Sequence, residues 1–173
     1  MTSYPVRRLG IDLDTPFPVR WAGGDAFRSA LFNALSMSFP VGEQFFIDSL
    51  RAGVAALPPD PREAFATELK GFVGQEATHR HLHARFNAIL VAQGQVNTVE
   101  DRAGRRMAWA NAHVDVRNRV AATAATEHLT AVFAEWTLRH PEAFEGAEPR
   151  LRRLWEWHAA EESEHRSTAF DVY

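Results

Sequence analysis

The chain has 173 residues, 46% of them hydrophobic and 24% charged, enough apolar material for one domain with a real core. Its net charge of -3 and pI near 6.2 leave no basic excess for phosphate neutralisation, which argues against nucleic acid as a partner. The absence of cysteine excludes a disulfide framework, a thiolate zinc site, an iron–sulfur cluster and a cysteine nucleophile, so any metal must use oxygen and nitrogen ligands.

Residues 1–24 hold Pro5, Pro16, Pro18 and the pair Gly23-Gly24, and they read as an extended arm without chemistry of its own. No apolar run follows the early charges and no stretch is long enough for a membrane span. A cytoplasmic location is the default expectation. The remainder, 25–173, reads as one bundle of four helical segments.

The first segment runs from about Asp25, a plausible N-cap, to Leu57, ahead of Pro58-Pro59-Asp60-Pro61. Pro40 inside it removes an intrahelical bond, so a bend near Ser36 to Pro40 is expected, with a backbone carbonyl left free for water or substrate. The second segment opens with Asp60 as cap and Pro61 at the first helical position, and closes at Gln93-Gly94. The third is periodic from Thr98 to about His140, too long for an ordinary helix, so a kink or early break is expected. The fourth begins near Pro149. No strand alternation competes, and the fold class expected is an all-α four-helix bundle.

Each helix carries polar residues on its core stripe. In the second the seam is Phe65, Leu69, Phe72, Glu76, His79, His83, Phe86, Leu90, apolar at both ends and polar in the middle. The fourth repeats this with Leu151, Trp155, His158, Glu162, His165, Ala169, Val172, a register that leaves Glu161 and Glu164 off the seam. The third places Glu127 on a seam with His113, Val120 and Thr123, and the first places Glu43 between Phe39 and Phe46. One unpaired buried carboxylate costs several kcal/mol. Four would exceed a domain stability of ~5–15 kcal/mol unless cations balance them.

Height along the bundle is an independent test. Glu43 lies 14 residues before Leu57, and Glu76 lies 15 after Pro61. At about 1.5 Å per residue the two are level on antiparallel helices. Glu127 and Glu162 are each 13 residues from the ends of their own connection. A Glu from each of two helices plus Glu-x-x-His from each of the other two is the ligand set of ferritin-like di-metal carboxylate bundles. The expected ligands are therefore Glu43, Glu76, His79, Glu127, Glu162 and His165, around two divalent ions. Iron is the first choice, with manganese or zinc compatible.

The stretches Phe39-Pro40-Val41-Gly42-Glu43-Gln44-Phe45-Phe46, Gln75-Glu76-Ala77-Thr78-His79, Glu127-His128-Leu129-Thr130 and Trp157-His158-Ala159-Ala160-Glu161-Glu162-Ser163-Glu164-His165 resemble a bacterial family labelled "predicted metal-dependent hydrolase", placed in the ferritin-like superfamily. The resemblance implies roles beyond the six ligands for His83 and His158; each sits one turn from a ligand on the same seam, so hydrogen bonding to the ligands is the leading alternative to direct ligation, and His128 is a further candidate for such a supporting role. It also implies further helical sequence beyond the point matching Tyr173, so a fragment or a shorter branch is expected.

Oxygen-dependent oxidation of a small organic substrate is the leading functional expectation. Hydrolysis at the same dinuclear site is the alternative, and iron storage or ferroxidase activity the third. The expected partners are a small-molecule substrate and, on the oxidative reading, O₂. Self-association into a homo-oligomer is compatible with the sequence. Only Tyr4 and Tyr173 are available as tyrosines, and neither falls on a seam near the ligands, which argues against a stored tyrosyl radical.

Overall fold

The computed structural model describes residues 4–173. Six helices follow one another: α1 (Ala26–Ala56), α2 (Pro59–Ala92), α3 (Thr98–His113), α4 (Val116–Arg139), α5 (Pro149–His165) and α6 (Thr168–Val172), with a short 3₁₀ turn at Pro141–Phe144. The all-α bundle expected from periodicity is what forms. Among the described residues no strand is present, only an isolated antiparallel bridge between Ala22 and Ala147. No helix among the described residues is long and apolar enough to cross a membrane.

The ends of the helices follow their local chemistry. Asp25 caps α1 by accepting from the Arg28 amide. Asn97 and Asp115 cap α3 and α4 in the same way, satisfying N–H groups that the first turn leaves free. The start of α2 differs from expectation. It begins at Pro59 without a side-chain cap, and Asp60 sits inside the first turn, because proline at these positions gives up only N–H groups that would go unpaired.

The third segment breaks at Val114, whose backbone is extended, and Asp115 restarts the helix. This break changes the topology. Val54, Val120 and Val172 cluster at one end of the bundle, while Phe32, Phe86, Phe144 and Trp155 cluster at the other. α1 therefore runs up, α2 down, α4 down, and α5 with α6 up. Because α2 ends at the bottom and α4 starts at the top, α3 must climb between them. It lies along α1 and buries none of its own residues. Four helices enclose the core and α3 is an external crossover. His113, expected on the core seam, ends α3 exposed to solvent because the break falls just after it.

The arm is part of the core. Tyr4, Leu13, Phe17 and Trp21 are buried, and the indole of Trp21 donates to Asn33 Oδ1 at 2.9 Å. Two glycines on α2 admit its first residues. A Cβ on Gly71 would stand 3.0 Å from the Tyr4 carbonyl oxygen and 3.1 Å from its nitrogen, and one on Gly74 would strike the Val6 side chain.

Gly71→Val should therefore lift the arm off α2. The expected outcome is a loss of about 1–3 kcal/mol in urea unfolding from overpacking, with faster tryptic cleavage after Arg7 and Arg8. A variant as stable and as protease-resistant as the parent would show that the arm does not depend on that close approach.

Candidate metal centre

Halfway along the bundle the four core helices bring seven ionisable side chains into the buried interior. Glu43 comes from α1, Glu76 and His79 from α2, Glu127 from α4, and His158, Glu162 and His165 from α5. All seven are buried. Their ligand atoms fall into two groups, Glu43 with His79 and His158, and Glu76 with Glu127, Glu162 and His165. Within each group those atoms all lie within 4.8 Å of one another.

Two carboxylates join the groups. Glu162 Oε1 stands 3.3 Å from His79 Nδ1, 3.0 Å from His158 Nε2 and 3.6 Å from His165 Nε2. Glu76 Oε1 stands 3.7 Å from His79 Nδ1 and 3.0 Å from His165 Nε2. The six residues singled out by spacing are thus brought together, and His158 joins them as a close neighbour of Glu43, at 3.9 Å.

Both carboxylate oxygens of Glu43, Glu76 and Glu127, together with His79 Nδ1 and His165 Nε2, are buried without a hydrogen-bond partner. Several of these atoms approach one another to 3.0–3.7 Å but without the directionality of a hydrogen bond. Carboxylate and imidazole atoms that converge on a point without pairing through hydrogen bonds are the donor arrangement a cation requires. By residue type and by this geometry the set fits divalent metal ions.

The orientation of each imidazole is set from outside. His79 Nε2 lies 3.0 Å from Glu161 Oε2, and a carboxylate can only accept, so His79 turns its bare Nδ1 inward. His165 Nδ1 lies 2.9 Å from Gln75 Oε1. The Gln75 amide is itself oriented, since its Nε2 donates to the Pro5 carbonyl and to Glu164, and His165 therefore turns a bare Nε2 inward.

The His158 tautomer is set by a longer chain that begins at Pro40. Proline has no N–H, so the Ser36 carbonyl one turn earlier has no partner within α1. Asn87 Nδ2 donates to that carbonyl at 2.9 Å, which turns Asn87 Oδ1 toward the Ser36 hydroxyl at 2.7 Å. The hydroxyl spends its one hydrogen there and must accept from His83 Nδ1 at 2.8 Å. His83 Nε2 is left as an acceptor for His158 Nδ1–H at 2.7 Å, and His158 Nε2 faces Glu162 Oε1 at 3.0 Å and Glu43 Oε1 at 3.9 Å. The carbonyl expected to be free for water or substrate is occupied by Asn87, and α1 continues as helix through Pro40.

The titration of these groups in the absence of metal fits the same picture. Burial, then the charge of Glu76, raises Glu43 well above its ordinary range. Burial, then Glu162, raises Glu127 to about 8. Burial works to lower His79 and His165, yet both end well above the ordinary imidazole value. For His79 the hydrogen bond to Glu161 and the nearby carboxylates of Glu162 and Glu76 prevail. For His165 the Glu162 charge and the nearby Glu127 carboxylate prevail. Burial, then neighbouring positive charge, keeps His83 and His158 below it. Burial also works to raise Glu162, but the charge of His165, the His158 contact and the nearby His79 ring hold it well below the usual carboxylate range.

Three expectations are corrected. Glu161, off the seam by count, is fully buried because the arm covers that side of α5. It orients His79 and pairs with Arg7 at 3.2 Å. Tyr4 is close to the site, its ring edge-on to His165 with centroids 6.3 Å apart and its hydroxyl 3.0 Å from Thr168 Oγ1. His128 is exposed, because one residue past Glu127 a helix has turned by more than a quarter of its circumference. Arg7, which links Glu161 to Glu164, gave no signal in the sequence.

An all-helical bundle with two candidate metal-binding clusters in its core is the class that fold and site define. A family model described as "Predicted metal-dependent hydrolase" matches residues 5–173, and the chain belongs to that family. No curated protein and no solved structure matches it.

If the chain from Pro40 sets the His158 tautomer, Asn87→Leu should release it. Imidazole nitrogen NMR of metal-free protein should show the His158 proton on Nδ1 in the parent and a mixture in the variant. Stability should fall by about 1–3 kcal/mol, because the Ser36 groups lose their buried partner. An unchanged single tautomer would mean that Asn87 does not set it.

Proposed function

We propose that this protein is a metal-dependent hydrolase with a dinuclear centre. Glu43, His79 and His158 would hold one ion, and Glu76, Glu127, Glu162 and His165 would hold the other. The observation that carries this reading is the convergence of unpartnered carboxylate and imidazole atoms in a buried core, in a chain whose family description names hydrolysis. Two divalent ions there would supply Lewis acidity for attack by water on an ester- or amide-like bond.

The chain's own residues exclude water and hold the donors still. Phe39 packs edge-on against His83 and His158, Phe72 against His165, and Trp157 against His79. Glu161, Gln75 and His83 hold the three imidazoles with their outward N–H groups. Glu43 lines both this site and the groove between α1, α3 and α4, so a substrate entering by that groove meets the site at Glu43.

A second reading, oxygen-dependent oxidation at a di-iron centre, is supported by topology. Four core helices with a single crossover, carrying Glu and Glu-x-x-His in this order, are the arrangement of ferritin-like carboxylate proteins. Both readings use the same ligands and differ in what the metal must do. The test is protein loaded with Zn(II), Mn(II) or Fe(II), assayed for metal content, for cleavage of an ester and amide panel, and for O₂ consumption. Hydrolysis by the zinc form without O₂ uptake supports the first reading. An inert zinc form beside an O₂-consuming iron form supports the second. Fewer than about two ions per folded chain, set against the two groups of donors, would end both.

Metal should compete with protons. In metal-free protein the carboxyls of Glu43 and Glu127 and the imidazoles of His79 and His165 all hold protons more tightly than they ordinarily would. Loading should therefore release protons, read by calorimetry in buffers of different ionisation enthalpy. The sign for stability follows. Glu127 titrates at about 8 instead of 4.5, so between those values the native metal-free chain binds protons that the unfolded chain does not. The two raised histidines act in the same direction. Metal-free stability should fall as pH rises from about 5 to 8, and metal affinity should rise over that window. Glu161→Ala should weaken metal binding by about 10–100-fold, the usual effect of removing a carboxylate behind a ligating histidine. Glu164→Ala should cost less, since it reaches His165 only through Gln75.

A further inference from the structure

The crossover leaves a groove of about 990 Å³ over α1, walled by α3 on one side and α4 on the other. Its α1 wall is apolar, with Leu35, Phe39 and Phe46, and Glu43 stands on its inner face. At the middle of that wall is Gly42, where an added Cβ would meet nothing within 4 Å. The helix gives up propensity at this position and leaves open space beside Glu43.

The α3 wall is chemically different. Arg102, Arg105 and Arg106 line it beside Trp109, which is 60% exposed. Among the described residues none of these three arginines makes an ion pair, although the protein as a whole is negative. Guanidinium groups recognise carboxylate and phosphate through paired N–H donors. An apolar trough with three uncommitted guanidinium groups along one wall and a carboxylate at its inner face is asymmetric. It suits a molecule with an anion at one end and an apolar body.

We infer that the groove over Gly42 binds an amphiphilic anion, a single apolar chain with a terminal carboxylate or phosphate, its head on Arg102, Arg105 and Arg106 and its body directed along the α1 wall toward Glu43. This rests on the proposed site at Glu43 and names its substrate class. The guanidinium groups lie on the α3 wall and the apolar side chains on the α1 wall, so a head held at the arginines leaves the uncharged end directed toward Glu43.

The test uses the full chain as purified, with metal content measured on the same sample. Binding of dansylated undecanoate is followed by fluorescence, and dodecanoate, dodecyl phosphate and dodecanol compete for it. The expected result is displacement by one or both anions, the better of the two identifying the head group, with dodecanol weaker by about tenfold or more. Replacing the three arginines by Gln should erase that preference. Gly42→Leu should abolish binding while leaving the melting temperature unchanged or higher, because it fills open space and favours helix.

No probe binding, equal competition by dodecanol, or a Gly42→Leu variant that binds like the parent would each overturn the inference. Binding by protein that holds no metal would keep the groove and remove the proposed centre. Two ions per chain without binding would do the reverse.

Discussion

Carboxylates that share a buried volume repel one another, and positive charge must come between them if the fold is to survive. In this protein that requirement falls on Glu43, Glu76, Glu127 and Glu162 at one level of the bundle. Protons and metal ions are alternative ways to meet it. Without metal, the raised affinity of Glu43, Glu127 and two imidazoles for protons works against that repulsion. Divalent ions bound there would offset it with the carboxylates ionised. The surroundings serve both states, because each inward-facing histidine spends its N–H on an outside partner and keeps its other nitrogen for the centre.

Those outside partners come from parts of the chain remote from the four core stripes. Glu161 and Glu164 lie on the flank of α5, where the arm crosses and Arg7 joins them, and Gln75 donates to the Pro5 carbonyl. The arm is therefore coupled to the orientation of His79 and His165, and the glycines that let it lie close on α2 belong to the same device. On the far side α3 performs a topological task, carrying the chain back to the top of the bundle. In doing so it stands off from α4 and leaves the groove that reaches Glu43.

Much of the centre was legible because helical spacing converts directly into position. A Glu or His on a stripe otherwise made of Phe and Leu must point inward, and residue counts to the turns place it at a height. His158 was on that stripe too, but spacing does not say which nitrogen a ring presents, and its closeness to Glu43 emerges only from the packed helices. Glu161 was misplaced for a different reason. A seam count tells which side faces the other helices, whereas here the opposite side is covered by an arm whose path depends on tertiary contacts. The break at Val114 carries neither proline nor glycine; it is marked only by Asp115, whose capping role depends on the chain already having turned there. Oxidative chemistry, the first functional expectation, came from the ligand set alone, and that set does not distinguish electron transfer from Lewis acidity.

Pro40 has a consequence for how the helices may move. It opens one gap in the hydrogen-bond ladder of α1, and an amide from α2 fills it, keying the two helices together as a peg keys two timbers. A slide of one residue, about 1.5 Å, would draw Asn87 out of that gap, and the Ser36 carbonyl has no N–H of its own helix to fall back on. Glu43 and His79 face each other from these same two helices. The half of the centre that they form is thus held in register by a residue that touches neither.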